Sequence, residues 1–111
     1  MNIKDLIVNS HKISTEKGWN ENGPRPIPEL LCLIHSEVSE ALEEYRNGSP
    51  PTHMYYTGSN DKPEGFPIEI ADIVIRIADL CGQYNIDLEK AIEIKQVFNK
   101  TRPMRHGGKL A

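Results

Sequence analysis

Residues 66–83, FPIEIADIVIRIADLCGQ, constrain the fold more than any other stretch of this chain. At 100° per residue, Phe66, Ile68, Ile70, Ala71, Ile73, Val74, Ile75, Ile77, Ala78, Leu80 and Cys81 cover most of the circumference. Glu69, Asp72, Arg76, Asp79 and Gln83 fall together in one narrow sector. A helix that is apolar nearly all round is buried nearly all round. The segment is therefore expected to be the central helix, with its one polar stripe facing either solvent or a site.

Three further helical stretches surround it. Residues 2–17 carry Ile3, Leu6, Ile7 and Ile13 on one side and stop at Gly18. Pro28 suits the first turn of a helix running to Arg46, where Asn47-Gly48 ends it. Asp87 is an N-cap for a helix ending near Thr101, ahead of Pro103. Residues 20–28 are too rich in Pro and Gly to be regular. Residues 47–66, NGSPPTHMYYTGSNDKPEGF, read as the longest irregular segment, and no useful stretch alternates with period two. The expected fold class is all-α, a four-helix bundle, as one domain over 1–111 with a basic tail at 102–111.

Apolar residues are 38% and charged residues 26% of the chain, an ordinary soluble composition. The net charge of −3 disfavours a nucleic-acid polymer as partner. No run approaches the ~18 apolar residues of a membrane helix, so no membrane partner is expected. The opening MNIKDLIVNSHK has no basic region followed by an apolar one, and the expected location is cytoplasmic. Cys32 and Cys81 both sit among apolar helical residues and are expected to be buried free thiols.

The acidic residues carry the chemistry. The second helical stretch has an apolar face of Leu30, Leu31, Ile34, Val38, Ala41, Leu42 and Tyr45, with Glu37 and Glu40 one turn apart on its flank. Glu69 and Asp72 form a second pair on the polar stripe, while Asp79, two turns on, is placed outside the first set of ligands. If the two helices pack antiparallel, the pairs converge. Four converging carboxylates repel in a low-dielectric setting and become favourable with a divalent cation. Oxygen-only ligands point to Mg²⁺ or Mn²⁺ rather than zinc, and neither pair ends in the His of a ferritin-like di-iron motif. A single E-x-x-E is most often a solvated face; two, one of them on the only polar stripe of a buried helix, weigh towards a metal site. Lys95, Asn99 and Arg102 share one face of the fourth helix, and Arg105, His106 and Lys109 follow. Such cations beside a metal-binding acid cluster suit a polyphosphate. Taken alone, they read as a solvated basic helix end.

Glu37-x-x-Glu40, 28 intervening residues and Glu69-x-x-Asp72 resemble the E-x-x-E…E-x-x-D signature of the MazG-like all-α nucleotide pyrophosphohydrolases. The flanking SEVSEALEEYR and EIADIVIRIADLCG extend the resemblance, which covers roughly residues 5–109. It implies that Glu37, Glu40, Glu69 and Asp72 bind Mg²⁺, more than one ion, and that water attacks the α-phosphorus of a nucleoside triphosphate. Glu40 is a ligand or the residue orienting that water. Lys95 and Arg102 hold phosphates, and Asn99 bonds sugar or phosphate. His11 and Trp19 resemble the His and Trp that contact nucleotide in the dCTP pyrophosphatase branch. Arg76 stands where that branch has an aromatic residue, which leaves the base open. The namesake protein has two tandem copies, whereas this chain has one. Tyr55 and Tyr56 are expected to pack on the domain surface or a partner rather than to lid a base. A homodimer or homotetramer is expected, since three short helices do not cover so apolar a fourth. A phosphoribosyl-ATP pyrophosphohydrolase and a non-enzymatic helical dimerisation module are the competing expectations.

Overall fold

The computed structural model describes residues 1–102; Arg105, His106 and Lys109 of the basic tail lie outside the described residues. Four helices account for most of it: α1 (Ile3–Glu16), α2 (Ile27–Arg46), α3 (Phe66–Gln83) and α4 (Leu88–Thr101). Each boundary has a local cause. The Asn2 side chain accepts from the Asp5 N–H at 2.7 Å and starts α1. Gly18, at φ 77°, turns the chain out of α1 in a left-handed conformation that favours glycine. Proline stands in the first turns of α2 and α3, where no N–H partner is lost. The Asp87 carboxylate accepts from the Lys90 N–H at 3.1 Å and starts α4.

Residues 47–66 are more ordered than the sequence suggests. They contain a two-stranded antiparallel hairpin, β1 (Tyr55–Thr57) and β2 (Lys62–Glu64), with Tyr55 opposite Glu64 and Thr57 opposite Lys62. The strand signal was present in Tyr-Tyr-Thr followed by the turn residues of GSND, but three residues are too few for an alternation to register. Tyr55 ties the hairpin to α2 by donating to Glu44 Oε1 at 2.6 Å, and this bond pushes its hydroxyl pKa up to about 12. Tyr56 is exposed. Gly65, at φ 122°, passes so close to the His53 carbonyl that a Cβ there would lie 2.3 Å from its oxygen. The chain can therefore turn into α3 only with glycine at this position.

Helix α3 lies between α1 and α2. Ser14 meets Asp79, and His11 packs on Gly82, so α1 and α3 run antiparallel. Arg76 meets Glu37 while Glu69 lies beside Glu40, so α2 and α3 do too. Helix α4 lies against α1 and buries none of its residues.

Three sequence expectations need correction. Ile70, Val74 and Ile75 of α3 stay exposed, because α4 does not cover them. The apolar face of α2 divides: Leu30 and Ala41 are buried, whereas Leu31, Val38, Leu42 and Tyr45 stay open. Cys32 is exposed, not buried, because it stands two residues from Leu30, about 200° round the helix. Cys81 is buried, and both thiols are free. No described helix is long and apolar enough to cross a membrane.

Candidate metal centre

The antiparallel crossing of α2 and α3 gathers three carboxylates. Glu37 is buried, Glu69 half-buried and Glu40 exposed, and one oxygen from each lies within 4.8 Å of the other two. Glu37 is buried because it shares the inward side of α2 with Leu30 and Ala41. Glu69 sits in the first turn of α3, placed there by the Gly65 turn. Its Oε2 is buried without a hydrogen-bond partner. Burial, together with the charges of Glu40 and Asp72, pushes the Glu69 pKa up to about 7. Burial and the Glu37 charge also raise the Asp72 carboxyl, against the opposing pull of Arg76 and Lys62. Asp72 lies one turn beyond Glu69 and is not in the trio; it faces the adjoining cleft.

That cleft, of about 750 Å³, runs between the three packed helices. Glu37, Asp72, Arg76 and Trp19 line it, with Leu6, Ile13 and Ile75 as apolar wall. Arg76 joins its two sides. Its Nε donates to Glu37 Oε1 at 2.9 Å, and its guanidinium carbon lies 5.2 Å from the centre of the Trp19 ring. The polar stripe of α3 thus faces the protein interior.

Further along the same stripe, Asp79 is buried as the centre of a hydrogen-bond network. Its Oδ1 accepts from Ser14 Oγ at 2.5 Å and lies 3.4 Å from His11 Nδ1. Its Oδ2 accepts from Gln83 Nε2 at 2.9 Å. Gln83 Oε1 in turn accepts from the Arg25 N–H at 2.9 Å, and the Tyr84 hydroxyl donates to the Arg25 carbonyl at 2.6 Å. This network sets the path of the linker that carries Trp19 from α1 towards α2.

The nine sequence-predicted residues are therefore dispersed unevenly. Glu37, Glu40 and Glu69 come together, and Asp72 and Trp19 share the adjoining cleft. His11 is held by Asp79 at the α1–α3 crossing and lines a different groove, with Ile3, Ile7 and Ile86. Lys95, Asn99 and Arg102 are exposed on α4 and do not line the acidic cleft; Lys95 and Arg102 flank the Phe98 ring at 4.9 and 5.8 Å. Sequence reasoning missed the pairing of Arg76 with Glu37 and the burial of Asp79. The signal was their place on the polar stripe, one and two turns past Asp72.

Three carboxylates that converge within 4.8 Å, one of them carrying a buried oxygen without a hydrogen-bond partner, fit a hard divalent cation such as Mg²⁺ or Mn²⁺. Without one, the site keeps its charge down by holding a proton on Glu69. The folded pKa of Glu69 lies above its unfolded value of 4.5, so the folded chain binds more protons between about pH 4.5 and 7. Its contribution to stability is present below that window and is lost as pH rises through about 7. In EDTA, wild type is expected to lose stability relative to Glu69→Gln between pH 5 and pH 8. Urea unfolding of the two chains at both pH values checks this, and parallel profiles would contradict it.

Comparison of the chain with protein-family models, curated proteins and solved structures finds no match.

Proposed function

We propose that this chain is a Mg²⁺-dependent nucleoside triphosphate pyrophosphohydrolase of the MazG-like all-α type, releasing a (d)NMP and pyrophosphate from a (d)NTP. The observation that carries this reading is the convergence of Glu37, Glu40 and Glu69, with the Glu69 Oε2 buried and without a hydrogen-bond partner. Glu37, Glu40 and Glu69 would hold the cation, with Asp72 next along the stripe. A bound divalent cation supplies charge neutralisation for phosphate oxygens and lowers the pKa of water. Glu40 is the trio's exposed member and so the one open to incoming water; in this reading it orients that water and takes up its proton. The water oxygen bonds to the α-phosphorus, the α–β anhydride bond breaks, and pyrophosphate leaves. Trp19, in the adjoining cleft, would offer an aromatic face to the base.

The reading includes a second copy of the chain. The surface of 8530 Å² exceeds the ~6,200 Å² of a compact 12.6 kDa monomer. Assigning residues 103–111 the full area of an unfolded chain still leaves an excess above about 1,000 Å², more than the ~800 Å² each partner buries in a standard interface. The open stripes of Leu31, Val38, Leu42 and Tyr45 on α2, and of Ile94, Val97 and Phe98 on α4, are the surfaces a partner would cover. Lys95, Asn99 and Arg102 would reach the triphosphate from that second copy. Light scattering at micromolar concentration is expected to give at least twice the chain mass, and a monomer would contradict it.

The decisive assay is pyrophosphate release from a panel of canonical and modified nucleoside triphosphates, with Mg²⁺ and with EDTA. Metal-dependent release of pyrophosphate and monophosphate from one member is the expected result. Silence from a folded chain that binds Mg²⁺ favours phosphoribosyl-ATP as substrate. Silence without metal binding favours the helical interaction module, the reading that the open apolar stripes support.

A further inference from the structure

Arg76 touches both halves of the candidate site. Its Nε–H bonds to Glu37, one of the three converging carboxylates, while its guanidinium lies over Trp19 in the adjoining cleft. The pair is sheltered, with the Arg76 side chain 25% and the Glu37 side chain 10% exposed. The Glu37 oxygens are thus sought by two cations, a divalent ion in the trio and the guanidinium. Two positive groups on one sheltered carboxylate repel each other, and little solvent screens them. The guanidinium has somewhere to go, because the cleft beside it is open and also carries Asp72 and Asp79.

We propose that Arg76 is a latch coupling the metal centre to the Trp19 cleft: it closes on Glu37 and Trp19 in the ion-free chain, and a divalent cation at Glu37 releases it. Release uncovers the face of the Trp19 ring beneath the guanidinium for a planar ligand and frees the Nε–H, so that all five N–H donors can read its acceptors or its phosphates. Metal binding then precedes productive nucleotide binding. The inference rests on the metal centre proposed above, but not on hydrolysis.

The chain has one tryptophan, so Trp19 emission reports the latch directly. Mg²⁺ is titrated into the nucleotide-free protein and followed by calorimetry and by Trp19 fluorescence. In wild type the emission changes with the same midpoint as the heat. Arg76→Gln is expected to bind Mg²⁺ roughly three- to tenfold more tightly, having lost the competitor for Glu37, and to lose the emission change. Arg76→Lys keeps the charge without the planar fork, and is expected to lose most of that change, should the Gln variant fail to fold. Binding heat with constant wild-type emission overturns the latch, because Arg76 then stays on Glu37 with the ion beside it. An unaltered emission response in the Arg76 variants overturns it as well. No heat at all removes the metal centre, and the latch with it. A chain that shows the latch but hydrolyses no nucleoside triphosphate supports the inference and removes the nucleoside triphosphate reading instead.

Discussion

Glu69→Gln is expected to reduce pyrophosphate release at least ~10³-fold, equivalent to about 4 kcal/mol of barrier. The substitution is nearly isosteric, so the helix crossing is preserved. It removes a carboxylate whose Oε2 is buried without a partner, and with it a negative ligand of the proposed cation site. Glu40→Ala is expected to show a similar loss, since Glu40 belongs to the same trio. Stability moves the other way. In the ion-free chain above about pH 7, Glu69 carries a charge that burial, Glu40 and Asp72 all oppose. Removing that charge relieves the repulsion, so the variant is expected to unfold at higher urea than wild type at pH 8 in EDTA. An inactive variant that is also more stable cannot owe its inactivity to unfolding. Wild-type rates from Glu69→Gln and Glu40→Ala would remove both residues from the site.

Asp79→Ala is expected to cost about 3–4 kcal/mol of folding stability. Asp79 is buried and accepts from Ser14 and Gln83, with His11 Nδ1 nearby at 3.4 Å. Each buried donor left without an acceptor costs about 1–3 kcal/mol, and Ser14 alone keeps a second acceptor, the His11 carbonyl at 3.0 Å. Of a total stability of about 5–15 kcal/mol, this is a large share. Asp79→Asn keeps part of the acceptor capacity and is expected to cost less than half as much. Urea unfolding at fixed protein concentration compares the two with wild type. A loss below 1 kcal/mol in the alanine variant would mean that the network does not hold α1 to α3. Because Gln83 also fixes Arg25, the alanine variant should release the linker carrying Trp19 as well.

Helix existence and helix ends were legible from local chemistry. Gly18, Pro28, Asn47-Gly48 and Asp87 each bound a helix by satisfying or removing particular backbone groups, and the structure uses all of them. The hairpin at 55–64 was not legible, because its strands are three residues long and draw on contacts from outside, such as Tyr55 with Glu44. Glu37 was legible as an acid on the flank of the apolar face of α2, but its burial beside Leu30 and Ala41 was not. Its partner Arg76 was not, since 39 residues separate them and only the helix crossing brings them together.

The periodicity of residues 66–83 determined by itself that α3 would be a central helix with a single polar stripe, and the spacing of Glu37, Glu40, Glu69 and Asp72 determined which acids share a helix face. Both are local consequences of 3.6 residues per turn. Tertiary structure alone decided which side of α2 is buried, that three of the four acids converge, and that Asp79 is a buried hydrogen-bond centre. These depend on how α1 and α2 cross α3, and a crossing is set by side chains far apart in the chain, whose joint packing no local pattern specifies.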